Sequence, residues 1–125
     1  GSEMCIRDRS NEFIEMEGLT VFKLAVRKMI DMLDQACANR EISSKNLDFI
    51  VPHQANERII EAIRKTIHCP VEKMFNHIEK YGNTSSNTIP IALEELLPSL
   101  ASGNLIGLTA FGGGFTFGAA VIEKL

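Results

Sequence analysis

The chain has 125 residues, with 13 Lys+Arg against 16 Asp+Glu and a formal charge of −3. That length suits one domain with a real core and is too short for two. Hydrophobic residues at 45% and charged residues at 23% exclude a disordered tail, and the lack of a basic run excludes an electrostatic nucleic-acid footprint. Cys5, Cys37 and Cys69 are odd in number and far apart, which argues against a disulfide framework or a zinc cage and for a reducing cytoplasm.

The opening GSEMCIRDRS reads as a tag or artefactual leader over residues 1–10, with no secretory signal, and residues 11–125 as the folded domain. Phe13 to Met16 reads as a short strand closed by Gly18, and Thr20 as the N-cap of a helix. Val21, Phe22, Ala25, Met29, Met32, Leu33 and Ala36 then form one apolar helical stripe. Leu47 to Val51 suits a buried strand stopped by Pro52. Asn56 to Ile67 reads as a second helix with Ile59, Ile60, Ile63 and Ile67 on one face and Arg58 and Lys65 on another. Cys69-Pro70 ends it, and Val71 to Phe75 turns into a short extended segment.

Tyr81-Gly82-Asn83 reads as a loop, and Thr84, Ser85 or Ser86 as the cap of a third helix reaching about Leu97, with Pro90 in its early turns. Leu105 to Ala110 and Phe115 to Ile122 read as two closing strands. Leu96 to Ile122 carries no charge and imitates a membrane span in length. The run Gly112-Gly113-Gly114 argues against it, since three glycines cost a helix roughly 3 kcal/mol. Strand–helix alternation ending in a hairpin predicts an α/β fold with a mixed sheet.

Three places concentrate unusual residues. Val51-Pro52-His53-Gln54-Ala55-Asn56 sets a histidine just past the C-terminal end of a strand, the edge where open α/β sheets bind ligands. By itself His53 reads better as a surface histidine capping a loop. Gly82-Asn83-Thr84-Ser85-Ser86 precedes a helix, where Asn83 alone reads best as a cap. Phe111-Gly112-Gly113-Gly114-Phe115 is either a tight turn or a place where a backbone N–H approaches a ligand unhindered by a Cβ.

Together PHQAN, YGNTS and AFGGGFTFG, in that order and spacing, resemble the β-ketoacyl-ACP synthase III family of the thiolase fold, as does Glu15-Met16-Glu17-Gly18 followed by Val21-Phe22-Lys23. The resemblance runs from about Phe13 to Leu125. It implies the C-terminal half of a thiolase-like fold, a mixed β-sheet covered by helices. It also implies a decarboxylating Claisen condensation, in which an acyl-CoA primer loads onto a cysteine and malonyl-ACP loses CO2 to give the attacking enolate.

His53 matches the family's active-site histidine and Asn83 its asparagine, both donors to the malonyl thioester oxygen. Gly113 matches the glycine whose N–H helps hold the tetrahedral intermediate, and Phe111 an aromatic residue near the nucleophile. Asn56 and Arg58 match the helix bordering the pantetheine channel and the docking surface for the acidic carrier protein, with Lys65 beside them.

The family's nucleophilic cysteine has no counterpart here: none of the cysteines opens a buried helix, and His68-Cys69-Pro70 does not make a triad. The segment from Pro98 to Asn104 is a little shorter than the family's. The resemblance thus implies a fragment, inactive alone, that partners an N-terminal half, an acyl carrier protein and a second copy in a cytoplasmic homodimer. It implies no cofactor, no metal, no membrane and no nucleic acid. Two alternatives stay open: a related synthase with another product, and a non-catalytic half-domain that binds a carrier protein.

Overall fold

The structure, a computed structural model, describes residues 14–125. The leader read over residues 1–10, with Cys5, and the Phe13 start of the first expected strand lie outside the described residues. In chain order the elements are α1 (Ile14–Asn39), β1 (Phe49–Pro52), α2 (Glu57–Thr66), α3 (Ile78–Tyr81), α4 (Thr88–Leu96), β2 (Leu105–Gly112) and β3 (Thr116–Glu123). Single 3-10 turns at Ser44–Asn46, Val71–Lys73, Ser85–Asn87 and Leu97–Ser99 join them.

The sheet is mixed, in the order β1-β2-β3. β1 runs parallel to β2, with Phe49 opposite Ile106 and Pro52 opposite Thr109. β3 folds back antiparallel, with Gly112 opposite Thr116. Outside β1, Met74 forms a parallel bridge to Ile50, so the expected extended segment at Val71–Phe75 contributes one rung to the sheet.

Two expectations at the start of the chain are corrected. The residues from Ile14 to Met16 are helical, not a strand, and Thr20 lies inside α1 rather than capping it. Gly18 sits one helical turn before Phe22, in phase with Ala25, Met29, Leu33 and Cys37, all four of them buried. A stripe of that length offsets the cost of one helical glycine, about 1 kcal/mol.

The third helix also starts later than expected. Ser85 to Asn87 form a 3-10 turn preceded by Thr84, α4 begins at Thr88, and neither Thr84 nor Asn87 supplies a side-chain cap. By contrast α2 has the expected limits: the Asn56 side chain accepts the Ile59 N–H at 2.9 Å, and Ile67 ends it. The charge-free stretch is the end of α4 plus the hairpin, and no described helix is long and apolar enough to cross a membrane.

Two apolar layers sandwich the sheet. On one face α1 and α2 bring Met29, Leu33, Cys37, Ile59, Ile60 and Ile63 against Ile50. On the other, α4 brings Ala92 and Leu96 against Val51 and Ile106. Ile50 and Val51 therefore serve opposite cores, as the two-residue period of a doubly covered strand requires.

Gly107 leaves room on β2 for Leu33 of α1 and for Leu47. A Cβ there would lie 2.6 Å from Leu47 Cδ1 and 2.8 Å from Leu33 Cδ1. Both leucines are buried, so neither methyl has free space to move into. Gly107→Ala should therefore destabilise the chain by about 1–3 kcal/mol, the usual cost of overpacking. Urea denaturation checks this; an unchanged midpoint would show that the leucines repack freely.

A buried glutamine ties the end of β1 to the segment after Met74. Gln54 is fully buried and donates through Nε2 to the Pro52 carbonyl at 2.7 Å and the Phe75 carbonyl at 3.2 Å. Its Oε1 accepts the His77 N–H at 2.8 Å.

The His77 ring, 4% exposed, lies edge-on to Phe75 and Tyr81, and neither ring nitrogen has a hydrogen-bond partner among the described residues. Burial pushes its pKa below the ordinary 6.5; Glu95, with Oε2 4.0 Å from Nδ1, pulls it back up and Lys80 pushes it further down. The unfolded chain thus takes up this proton first as the pH falls. The stability contributed by neutral His77 is complete above about pH 6.5 and is lost as the pH drops toward the folded value. Unfolding free energy should fall as the pH drops below about 6.5, and His77→Leu should remove part of that fall. A variant with the parent's full pH slope would exclude His77 as a source.

Candidate functional site

The C-terminal ends of β1 and β2 open into a cleft of about 870 Å³. His53, Asn83, Phe111 and Gly113 all line it, together with Ala55, Ser85 and Thr88. Three segments far apart in sequence thus bring four of the six expected site residues to one surface. Each arrives by a different local device.

His53 follows β1 directly and continues its ladder by one residue: its N–H donates to the Thr109 carbonyl at 2.7 Å. The ring is half-buried. Its Nδ1 lies 2.6 Å from the Thr88 hydroxyl, and Phe111 meets it edge-on with centroids 6.0 Å apart at 71°. Burial holds the His53 pKa below the ordinary 6.5, so the imidazole is neutral at neutral pH. A neutral ring presents one N–H donor and one lone pair.

Asn83 is exposed in the loop after α3. Gly82 precedes it at φ 66° and ψ −161°, a conformation essentially reserved to glycine, and turns the chain toward the cleft. The Asn83 Oδ1 accepts the Ser85 N–H at 2.8 Å. Asn83 therefore does not cap α4, and with its oxygen engaged the NH2 remains as the free donor. Gly113 lies at the tip of the β2–β3 hairpin, where Gly114 takes φ 112°, and Phe111 stacks at 29° on Phe117 just below it.

The other two expected residues do not line the cleft. Asn56 is occupied as the cap of α2. Arg58 points outward from α2, its guanidinium 5.7 Å above the Phe22 ring on α1. Lys65 is exposed on the same helix, whereas Arg64 is engaged by Glu61 at 2.8 Å. Cys37 and Cys69 are buried and away from the cleft. Burial pushes both thiols up, with Asp34 adding to the effect at Cys37. Neither has the environment of a nucleophile.

Thr88 and Gln54 are the residues that reading the sequence left unassigned. Thr88 carried one usable signal: it is polar yet in phase with Ala92 and Leu96, the buried positions of α4. Gln54 carried none, because two of its three partners, Phe75 and His77, lie beyond the next helix.

The fold and the motifs both have known counterparts. Residues 37–124 match the family profile described as 3-oxoacyl-[acyl-carrier-protein] synthase III C terminal. The chain is 44% identical over 115 residues to β-ketoacyl-[acyl-carrier-protein] synthase III 1 of Bacillus cereus, covering 90% of this chain and 37% of that protein. It is 39% identical over 116 residues to the synthase III 1 of Bacteroides thetaiotaomicron, covering 93% of this chain and 35% of that one. Its backbone superposes on the crystal structure of 3-oxoacyl-[acyl-carrier-protein] synthase III from Aquifex aeolicus with a TM-score of 0.80 at 41% identity, over 86% of this chain and 35% of that chain. The chain thus spans little more than a third of the length of these relatives. Its mixed sheet between helical layers is the C-terminal part of their thiolase-like fold. On the profile match and the shared fold, the chain belongs to the β-ketoacyl-ACP synthase III family, corresponding to its C-terminal region.

Proposed function

We propose that residues 11–125 form the C-terminal domain of a cytoplasmic condensing enzyme that joins an acyl-CoA primer to malonyl-ACP with loss of CO2, starting fatty-acid synthesis. The observation that carries this reading is the convergence of His53, Asn83, Phe111 and Gly113 on one cleft, with His53 neutral and the Asn83 amide free to donate. The nucleophilic cysteine is supplied by an N-terminal half, and the active enzyme is a homodimer.

In the proposed reaction the primer's acyl group is already on that cysteine as a thioester. The bond between the malonyl carboxylate and its α-carbon breaks, CO2 leaves, and the electron pair spreads onto the thioester oxygen. His53 and Asn83 donate hydrogen bonds to that oxygen. The enolate carbon then attacks the acyl carbonyl, the Gly113 N–H helps hold the tetrahedral oxyanion, and collapse expels the cysteine thiolate. Every proton donor here is neutral, and no cofactor is required. A preorganised donor aimed at developing charge contributes about 3–4 kcal/mol.

Carrier-protein docking is assigned to the outer face of α2, through Asn56 at its start, Arg58 and Lys65. Arg58 is held over the Phe22 ring and pairs with no carboxylate among the described residues, which leaves its charge for an acidic partner.

In a full-length synthase carrying this segment, His53→Ala should abolish malonyl-ACP decarboxylation and leave acyl loading of the cysteine intact. Asn83→Ala should lower the decarboxylation kcat by about 10²–10³. Loss of loading and decarboxylation together would remove the enolate-stabilising role. Arg58→Glu should raise KM for malonyl-ACP with little change in kcat, an effect that shrinks as salt is added. An unchanged KM at low salt would move the docking surface elsewhere.

A further inference from the structure

Thr88 is the first residue of α4 and is 1% exposed. Its backbone N–H is committed to the Ser85 carbonyl, and its hydroxyl lies 2.6 Å from His53 Nδ1. Among the described residues that hydroxyl has no other hydrogen-bond partner. A hydroxyl has one proton to give, and a neutral imidazole has one N–H and one lone pair. Only two arrangements are open to the pair.

If Nδ1 carries the ring proton and donates to Oγ1, the Thr88 proton is left in a buried place without an acceptor. If the hydroxyl donates to Nδ1, both groups are satisfied and the ring proton sits on Nε2. The second arrangement leaves nothing buried unpaired, which native interiors strongly favour. Nε2 has no bond within the described residues and is not among the buried unpaired atoms, so it opens on the cleft that the ring lines. The Thr109 carbonyl on the His53 N–H and the Phe111 edge hold the residue from two other sides.

We propose that Thr88 is a positioning residue that holds His53 as its Nε2–H tautomer, so that the imidazole turns a donor and never a lone pair toward the cleft. The proposal rests on the reading of His53 as a donor to the enolate oxygen. A lone pair in its place would repel the oxygen as charge collected there, so the tautomer decides whether the ring helps or hinders.

The tautomer can be read in this chain directly. Two-bond 1H–15N NMR correlations at about pH 7.5, above the lowered His53 pKa, distinguish a protonated from an unprotonated ring nitrogen. The His53 signals are assigned by their disappearance in His53→Gln. The wild type should show a single Nε2–H pattern, Thr88→Ser should keep it, and Thr88→Val should show a mixture of the two tautomers. A wild-type Nδ1–H pattern overturns the proposal whether or not Thr88→Val folds, and so does an unaltered pattern in a folded Thr88→Val.

In a full-length synthase, Thr88→Val should lower the decarboxylation kcat by roughly tenfold or more, with KM for malonyl-ACP little changed and Thr88→Ser restoring the rate. A Thr88→Val enzyme at the wild-type rate overturns the proposal. If His53→Ala itself leaves decarboxylation intact, the role of His53 falls while the NMR result still reports the tautomer, so the two failures are separable.

Discussion

The carbonyl and the hydroxyl of Thr109 hold the site and its scaffold in one frame. The carbonyl accepts the His53 N–H at 2.7 Å, carrying the β1–β2 ladder one residue past Pro52, where proline ends its own donation. The hydroxyl donates to the Met29 carbonyl of α1, also at 2.7 Å. Thr109 and Gly107 point to the same face of β2, two residues apart. Gly107 supplies the space that lets α1 approach, and Thr109 supplies the bond that seats it. The helix, the central strand and the cleft histidine are thereby fixed to one another through a buried rung.

From that rung outward, each group in the cleft is held by a backbone contact rather than by its own side chain alone. Asn83 is turned by the Ser85 N–H, and Gly113 rides on a hairpin whose strands pair up to Gly112 and Thr116. Gln54 keeps the chain leaving β1 against the segment that returns beside it at Phe75 and His77. In the proposed reaction, donors positioned in this way would lose little entropy when a substrate arrives, which is the condition for electrostatic stabilisation of developing charge. The geometry puts loops at the functional edge and secures them from the rigid side.

How much of this could be read beforehand depended on whether the determining contact was local. Helix α2 was legible because its cap and its isoleucine stripe lie within one short stretch, and the hairpin because the glycine run separates two apolar strands. The start of α1 reads as a strand because a glycine follows a short apolar run, whereas the helix it opens is held farther along, by the buried stripe from Ala25 to Cys37. The start of α4 was misplaced because the expected capping residues spend themselves in a 3-10 turn. The motifs named His53 and Asn83, yet the bond that orients His53 spans 35 residues and the one that seats His77 spans 23. No periodicity encodes pairings of that range.

His53 and His77 separate the two effects that burial has on an imidazole. Desolvation pushes both pKa values down, so both rings are neutral at neutral pH. His77 meets aromatic edges, a carboxylate 4.0 Å away and no hydrogen-bond partner among the described residues. The residue serves as a packed ring with a pH-dependent penalty. His53 meets a hydroxyl on one nitrogen and the cleft on the other, so the same neutrality is given a direction. Desolvation alone makes a histidine uncharged; a buried partner on one side is what turns an uncharged ring into an oriented donor.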